Sequence, residues 1–327
     1  MGRNILPKSI ALPFSMLAEK LNAKPFMEYA LSYALYNYKR IDATKEISFD
    51  NLSLIRSFEG SKDEAGFVLV HVDMVSHSAK LIAATEDILC AQDDMSLVAG
   101  LSKMTTCFRA INDSMQKMWS RSSPEGYASF RTFIMGIKNQ PMFPNGVVYE
   151  GVSSDPLFFR GESGANDSMV PLLDNLLEIT NKMPDNPLTQ ILSEFRTYRP
   201  ILHEKYLKLV KSRSEGLIER CMKSEESAAL AITLMDFLRE FRWRHWHFTK
   251  AYILSYSKHP VATGGSPIIK WLPNQLSVVL SEVSKLCDQY QSSFGPLNSQ
   301  IMKIKEKSII DIDTLNKEIK FLEETFK

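Results

Sequence analysis

The stretch Phe241-Arg242-Trp243-Arg244-His245-Trp246-His247-Phe248-Thr249-Lys250-Ala251-Tyr252-Ile253-Leu254 constrains this chain more than any other. Its spacing is helical, and it sets two imidazoles in an apolar, aromatic segment. Phe241, His245, Phe248 and Tyr252 fall on one helical face, a surface suited to a planar apolar group. A histidine in such company either binds something flat and metallic or satisfies a buried hydrogen bond, and the residues here leave both readings open. Arg242, on the same helix, can pair with a neighbouring acid or with a carboxylate of a bound group.

The rest of the chain reads as helix. Helical periodicity covers 14–21, 26–38, 66–89, 96–118, 127–137, 168–179, 188–195, 224–257 and 275–293. A last helix is expected from Asp313, which would cap it, with Leu315, Ile319, Leu322 and Phe326 on one face. Alternating strand patterns are scarce. The expected architecture is therefore all-α, one large helical domain over 1–327. The segment 151–171 breaks the pattern, being rich in Gly, Ser and Asp; it is either a ligand-approaching loop or a solvated connection.

Composition excludes several classes of function. The formal net charge of +1 provides no field that would draw the chain to nucleic acid or an anionic membrane. No apolar run approaches the roughly 20 residues of a membrane span. Cys90, Cys107, Cys221 and Cys287 form no CxxC pair, which argues against structural zinc and a disulfide framework. With no apolar leader at the N-terminus, the expectation is a cytoplasmic protein with reduced thiols.

The helical face around His245 looks like the proximal side of a haem pocket, and an ordered set of motifs supports that reading. They are Leu6-Pro7-Lys8-Ser9-Ile10-Ala11-Leu12-Pro13, Ser57-Phe58-Glu59-Gly60, Gly66-Phe67-Val68-Leu69-Val70 and Phe130-Arg131, followed by Gly146-Val147-Val148-Tyr149-Glu150-Gly151, Arg160-Gly161-Glu162-Ser163-Gly164, Arg242-Trp243-Arg244-His245 and Thr263-Gly264-Gly265. In order and spacing the chain resembles the indoleamine 2,3-dioxygenase family of haem dioxygenases.

That resemblance implies an all-α haem domain, with the helices of 1–60 on the distal side of the pocket and the haem site within 61–327. It implies haem b as cofactor and O2 as co-substrate, with His245 ligating the iron, Phe241 and Phe248 against the cofactor, and Asp174 paired with Arg242 behind it. Arg131 matches the arginine that grips the substrate carboxylate. Ser163 and Gly164 match small residues at the haem edge. Thr263 and Gly264 match a mobile loop, its threonine contacting the substrate ammonium. Tyr29, Ser32, Tyr33, Phe67 and Tyr127 match the pocket wall. His247 points about 200° away from His245 and is read as structural.

Three departures are expected to matter. The small N-terminal domain of the mammalian-type enzymes has no counterpart here, so the pocket is expected to be more open or covered by a partner subunit. A homodimer is one assembly the sequence allows. His71 stands where a serine is typical, as a distal base or a packing residue. Gly126 stands where the family has a phenylalanine, which predicts a wider pocket.

The expected activity is haem-dependent 2,3-dioxygenation of L-tryptophan or a close indole to N-formylkynurenine. The alternatives are a specialised-metabolism enzyme of the pyrrolnitrin-pathway type, acting on a substituted tryptophan, and a haem sensor or carrier without turnover.

Overall fold

Helix α12 (Glu225–Thr249) is the axis on which the molecule is built. Ser224 caps it by accepting the Ser227 N–H, which satisfies one of the donors a helix start leaves over. Ala228 and Ala231 are buried in its first half, Met235 and Leu238 further along, so α4 (Asp94–Gln116) and α13 (Ile268–Phe294) pack closely on either side. After Thr249 the helix widens by one residue, and the Ser255 N–H reaches back to the Lys250 carbonyl at 3.1 Å. Such a bulge re-aims the side chains beyond it. The computed structural model describes residues 2–27, 33–161, 167–257 and 260–326.

The elements before α12 are α1 (Lys8–Leu21), α2 (Lys62–Val75), α3 (Ser78–Cys90), α5 (Met118–Arg121), α6 (Pro124–Ile134) and α7 (Met169–Leu176), followed by the shorter α8 (Ile179–Lys182), α9 (Pro187–Phe195), α10 (Ile201–Arg213) and α11 (Leu217–Cys221). Two small strand pairs complete the described part: β1 (Ile5–Leu6) parallel to β4 (Val148–Tyr149), and β2 (Tyr38–Arg40) antiparallel to β3 (Leu52–Leu54). The expected all-α fold is observed.

Several boundaries differ from the sequence expectation. The helix expected over 66–89 is two helices, because the Ser76 hydroxyl donates to the Asp73 carbonyl and closes α2 there. By length and composition 62–90 is apolar enough to cross a membrane. Its apolar face is instead packed on α4, and α2 also buries Glu64 and Asp73.

The helix expected over 26–38 falls partly on 28–32, outside the described residues. Its C-terminal end is turn and strand, where Asn37 bonds both the N–H and the carbonyl of Arg56 and so acts as a strand partner. Asp313 caps nothing. Helix α14 runs Ser299–Thr325 with Asn298 as cap, and Asp313 lies inside it, accepting from Lys317. Helix α10 went unread because a largely polar sequence buries only Leu207 and Val210.

Two apolar clusters result. One joins α3, α4, α7, α12 and α13; the other joins α2, α6 and the widened turn after α12. A cavity lies where they meet.

Glu64 ties the second cluster to the chain before it. Its buried carboxylate accepts the N–H groups of Phe58, Glu59 and Gly60 at 2.7, 2.9 and 3.1 Å. Glu64→Ala is expected to cost about 1–3 kcal/mol of unfolding free energy, read from the urea midpoint, because three donors lose an ionised acceptor. An unchanged midpoint would show that water replaces the carboxylate without loss.

Candidate functional site

The cavity is lined by residues of both clusters. Its walls come from α2, α6, α12 and α13, from the chain just before α7, and from the loop 261–266. Most of the lining is apolar, which keeps water weakly held and any charge inside it conspicuous.

His245 projects into this space from α12. Among the described residues it makes no hydrogen bond, and its remaining accessible surface faces the cavity. Burial first, then the neighbouring His71 and Arg242, push its pKa down to about 4. The ring is therefore a neutral imidazole with a lone pair to offer, the form that ligates iron. Phe241, Phe248 and Tyr252 line the cavity from the same face, as the spacing predicts. Phe248 and Tyr252 meet edge to face at 5.8 Å.

Trp271, on α13, also lines the cavity, and its buried indole N–H finds no acceptor among the described residues. An apolar space with an imidazole unpaired among the described residues and an orphaned donor suits a haem, whose carboxylate edge would supply the missing acceptor. The residues present fit that cofactor.

Behind His245 the support is ionic. Arg242 is buried, and its Nη2 donates to both Asp174 oxygens at 2.6 and 2.7 Å, while Nη1 donates to Gln275 at 2.7 Å. Arg196 reaches the same carboxylate at 3.4 Å. Asp174 and Arg242 thus pair with each other and do not line the cavity. His247 turns away, half-buried, its ring edge-on to Trp243 at 5.5 Å.

His71 lines the same cavity from α2. Its Nδ1–H donates to the Phe67 carbonyl at 2.8 Å, and burial lowers its pKa. The Phe67 ring lies 5.0 Å from Tyr127, and both line the cavity.

Arg131, on α6, bonds the loop beside the cavity and is not among the residues that line it. Its Nε donates to Thr263 Oγ1 at 3.2 Å and its Nη2 to the Val261 carbonyl at 2.8 Å, while the Tyr127 hydroxyl meets the same Thr263 oxygen at 3.3 Å. The resemblance implies a mobile loop here, yet many bonds hold it. Gln140 donates to the carbonyls of Ala262 and Thr263, and Arg160 to that of Gly264, each at 3.0 Å. Gly265 sits at φ +79°, and a Cβ there would run into the Lys138 carbonyl, so the turn requires glycine.

The structure does not gather every expected residue. Gly126 is not on the cavity. A Cβ there would meet the Asp63 carboxyl, which accepts the Ser123 N–H, so α6 closes on α2 and no wider pocket opens. Gly264 packs toward Phe195, and Tyr33 is buried near Phe67 and Phe58 without lining the cavity. Tyr29, Ser32, Ser163 and Gly164 lie outside the described residues.

Sequence reasoning passed over Trp271, Gln140, Arg160 and Asp167. Asp167 had a visible signal, an acid in the glycine-rich segment just before a helix. The others had none, since each acts on backbone or space far away in the chain.

A profile of the indoleamine 2,3-dioxygenase family matches residues 2–288. Indoleamine 2,3-dioxygenase 1 of Rattus norvegicus is 27% identical over 264 residues, 78% of this chain and 64% of the relative. The Mus musculus protein of the same name is 29% identical over 269 residues, 80% of this chain and 65% of the relative. A myoglobin of Haliotis diversicolor is 25% identical over 263 residues, 77% and 66% of the two chains. The chain thus spans about two thirds of the length of these relatives.

Two measurements probe the site without any ligand. Arg242→Met is expected to lose about 3–5 kcal/mol of stability, because Asp174 keeps only the longer Arg196 contact; a smaller loss would mean that Arg196 closes in. The His245 pKa of about 4 lies below its ordinary 6.5. Stability from this group is complete above pH 6.5 and falls as pH drops toward 4, by roughly 3 kcal/mol for that difference. His245→Leu in the haem-free protein should flatten this part of the pH–stability curve, and an unchanged slope would contradict it.

Proposed function

We propose a reaction for a chain that belongs to the indoleamine 2,3-dioxygenase family: haem-dependent 2,3-dioxygenation of L-tryptophan or a close indole relative to N-formylkynurenine. The observation that carries this reading is the neutral His245, without a hydrogen bond to its ring among the described residues, on an aromatic wall of a cavity that His71 also lines. His245 would hold the haem iron. The bound haem supplies the ferrous centre that takes up O2 and performs the redox chemistry.

The chain's own residues position and enclose. Arg131 spends Nε and Nη2 on the loop, and its Nη1 has no partner among the described residues. That nitrogen would take the substrate carboxylate in a charge-assisted bond. His71, with its Nδ1–H committed to Phe67, would stand beside the indole as a neutral imidazole. Phe67, Tyr127 and Ile134 supply apolar wall for the ring. The closed turn 262–266 limits water at the rim. The free cysteines suit a reducing cytoplasm, where we place the protein.

The likeness to an abalone myoglobin makes an oxygen carrier the second reading. A carboxylate anchor such as Arg131 has no use in a carrier.

The test is to load the protein with haem, reduce it, and follow its absorption and products with L-tryptophan and O2. A histidine-type spectrum perturbed by tryptophan, with N-formylkynurenine formed, is the expected result. Reversible O2 binding with no product would move the reading to the carrier, and another product to a specialised oxygenase. Arg131→Ala should weaken tryptophan about ten- to a hundred-fold while hardly affecting tryptamine, which has no carboxylate. Equal losses on both would remove its anchoring role.

A further inference from the structure

Asp167 is used by nothing described so far. It lines the cavity yet is only 5% exposed. Among the described lining residues it is the one carboxylate, and no lysine or arginine shares the lining with it. Its Oδ2 accepts the Met169 and Val170 N–H groups at 3.1 and 3.4 Å, which fixes the carboxyl at the start of α7. Its Oδ1 receives no hydrogen bond among the described residues. Arg199, buried behind it, donates Nε and Nη2 to the Asp167 backbone carbonyl at 3.2 and 2.6 Å. That guanidinium braces the main chain and leaves Oδ1 without a hydrogen bond among the described residues.

A buried acceptor of this kind is costly unless a donor meets it, and a cation meets a carboxylate best. An amino-acid substrate brings such a group. Its ammonium must also find an acceptor once stripped of water. Thr263, which the family resemblance assigns to that contact, already has its hydroxyl between Arg131 and Tyr127.

We propose that Asp167 receives the α-ammonium group of the substrate and so selects amino acids over their deaminated analogues. The assignment rests on the reading that this cavity takes an aromatic amino acid. Asp167 then answers the substrate's positive charge from the entry to α7. Burial raises the Asp167 pKa in the empty cavity, and His71 faces it from α2. An arriving ammonium favours the ionised carboxylate.

The experiment titrates haem-loaded protein with L-tryptophan and, separately, indole-3-propionate, which has the same ring and carboxylate but no ammonium, and follows the haem absorption. The unaltered protein is expected to prefer tryptophan. Asp167→Asn should weaken tryptophan about ten- to a hundred-fold while leaving indole-3-propionate nearly unchanged. Asp167→Ser, which keeps a hydroxyl to cap α7 and removes the charge, should do the same and serves if the first variant folds poorly. Equal weakening of both ligands, or of neither, would overturn the assignment and leave the proposed reaction intact. Failure of tryptophan to bind the unaltered protein would instead remove the amino-acid reading, and the role of Asp167 with it.

Discussion

The buried pair of Arg242 and Asp174 holds the candidate site to the rest of the molecule. It joins α12 to α7, and through Gln275 it joins both to α13. A guanidinium this deep is tolerated only with its charge met; both Nη groups are bonded, while Nε has no partner among the described residues. The pair therefore works mainly as a geometric lock. It sets the rotation of α12, and that rotation decides that His245 faces the cavity and His247 does not. The strength of the pair need not add net stability for this to hold, since misplacing either partner would strand a charge.

A second framework surrounds the rim. Gln140, Arg160 and Arg131, drawn from three separate segments, all bond to the short turn around Thr263. Side chains donating to backbone carbonyls fix a loop more firmly than its own glycines would suggest. The rim is thus shaped before any ligand arrives, a preorganisation that lowers the cost of binding. Asp167 belongs to the same logic, anchored by one oxygen to the start of α7 and open at the other.

Much of this was legible in the sequence because it depends on local periodicity. The face Phe241, His245, Phe248, Tyr252 follows from helical geometry alone, and the structure lines the cavity with all four. The all-α class followed from the same signal. The misreadings are equally physical. Asp313 looked like a cap because an acid precedes an apolar stripe, yet Asn298 caps that helix fifteen residues earlier, at 298 against 313. Gly126 looked like lost pocket wall, but the space its Cβ would take belongs to Asp63 of α2. One side chain's absence means little until the neighbouring helix is placed.

What the sequence by itself determined was the helical fold, the ligand-bearing face of α12 and the family, all of which rest on residues near one another or on motif order. The family resemblance already implied that Asp174 meets Arg242 across 68 positions; tertiary structure alone decided that Thr263 comes to rest between Tyr127 and Arg131, and that Asp167 opens onto the same cavity as His71. These are long-range contacts between buried polar groups. Which pairs form is set by how the helices pack around the apolar clusters, and no local spacing records that.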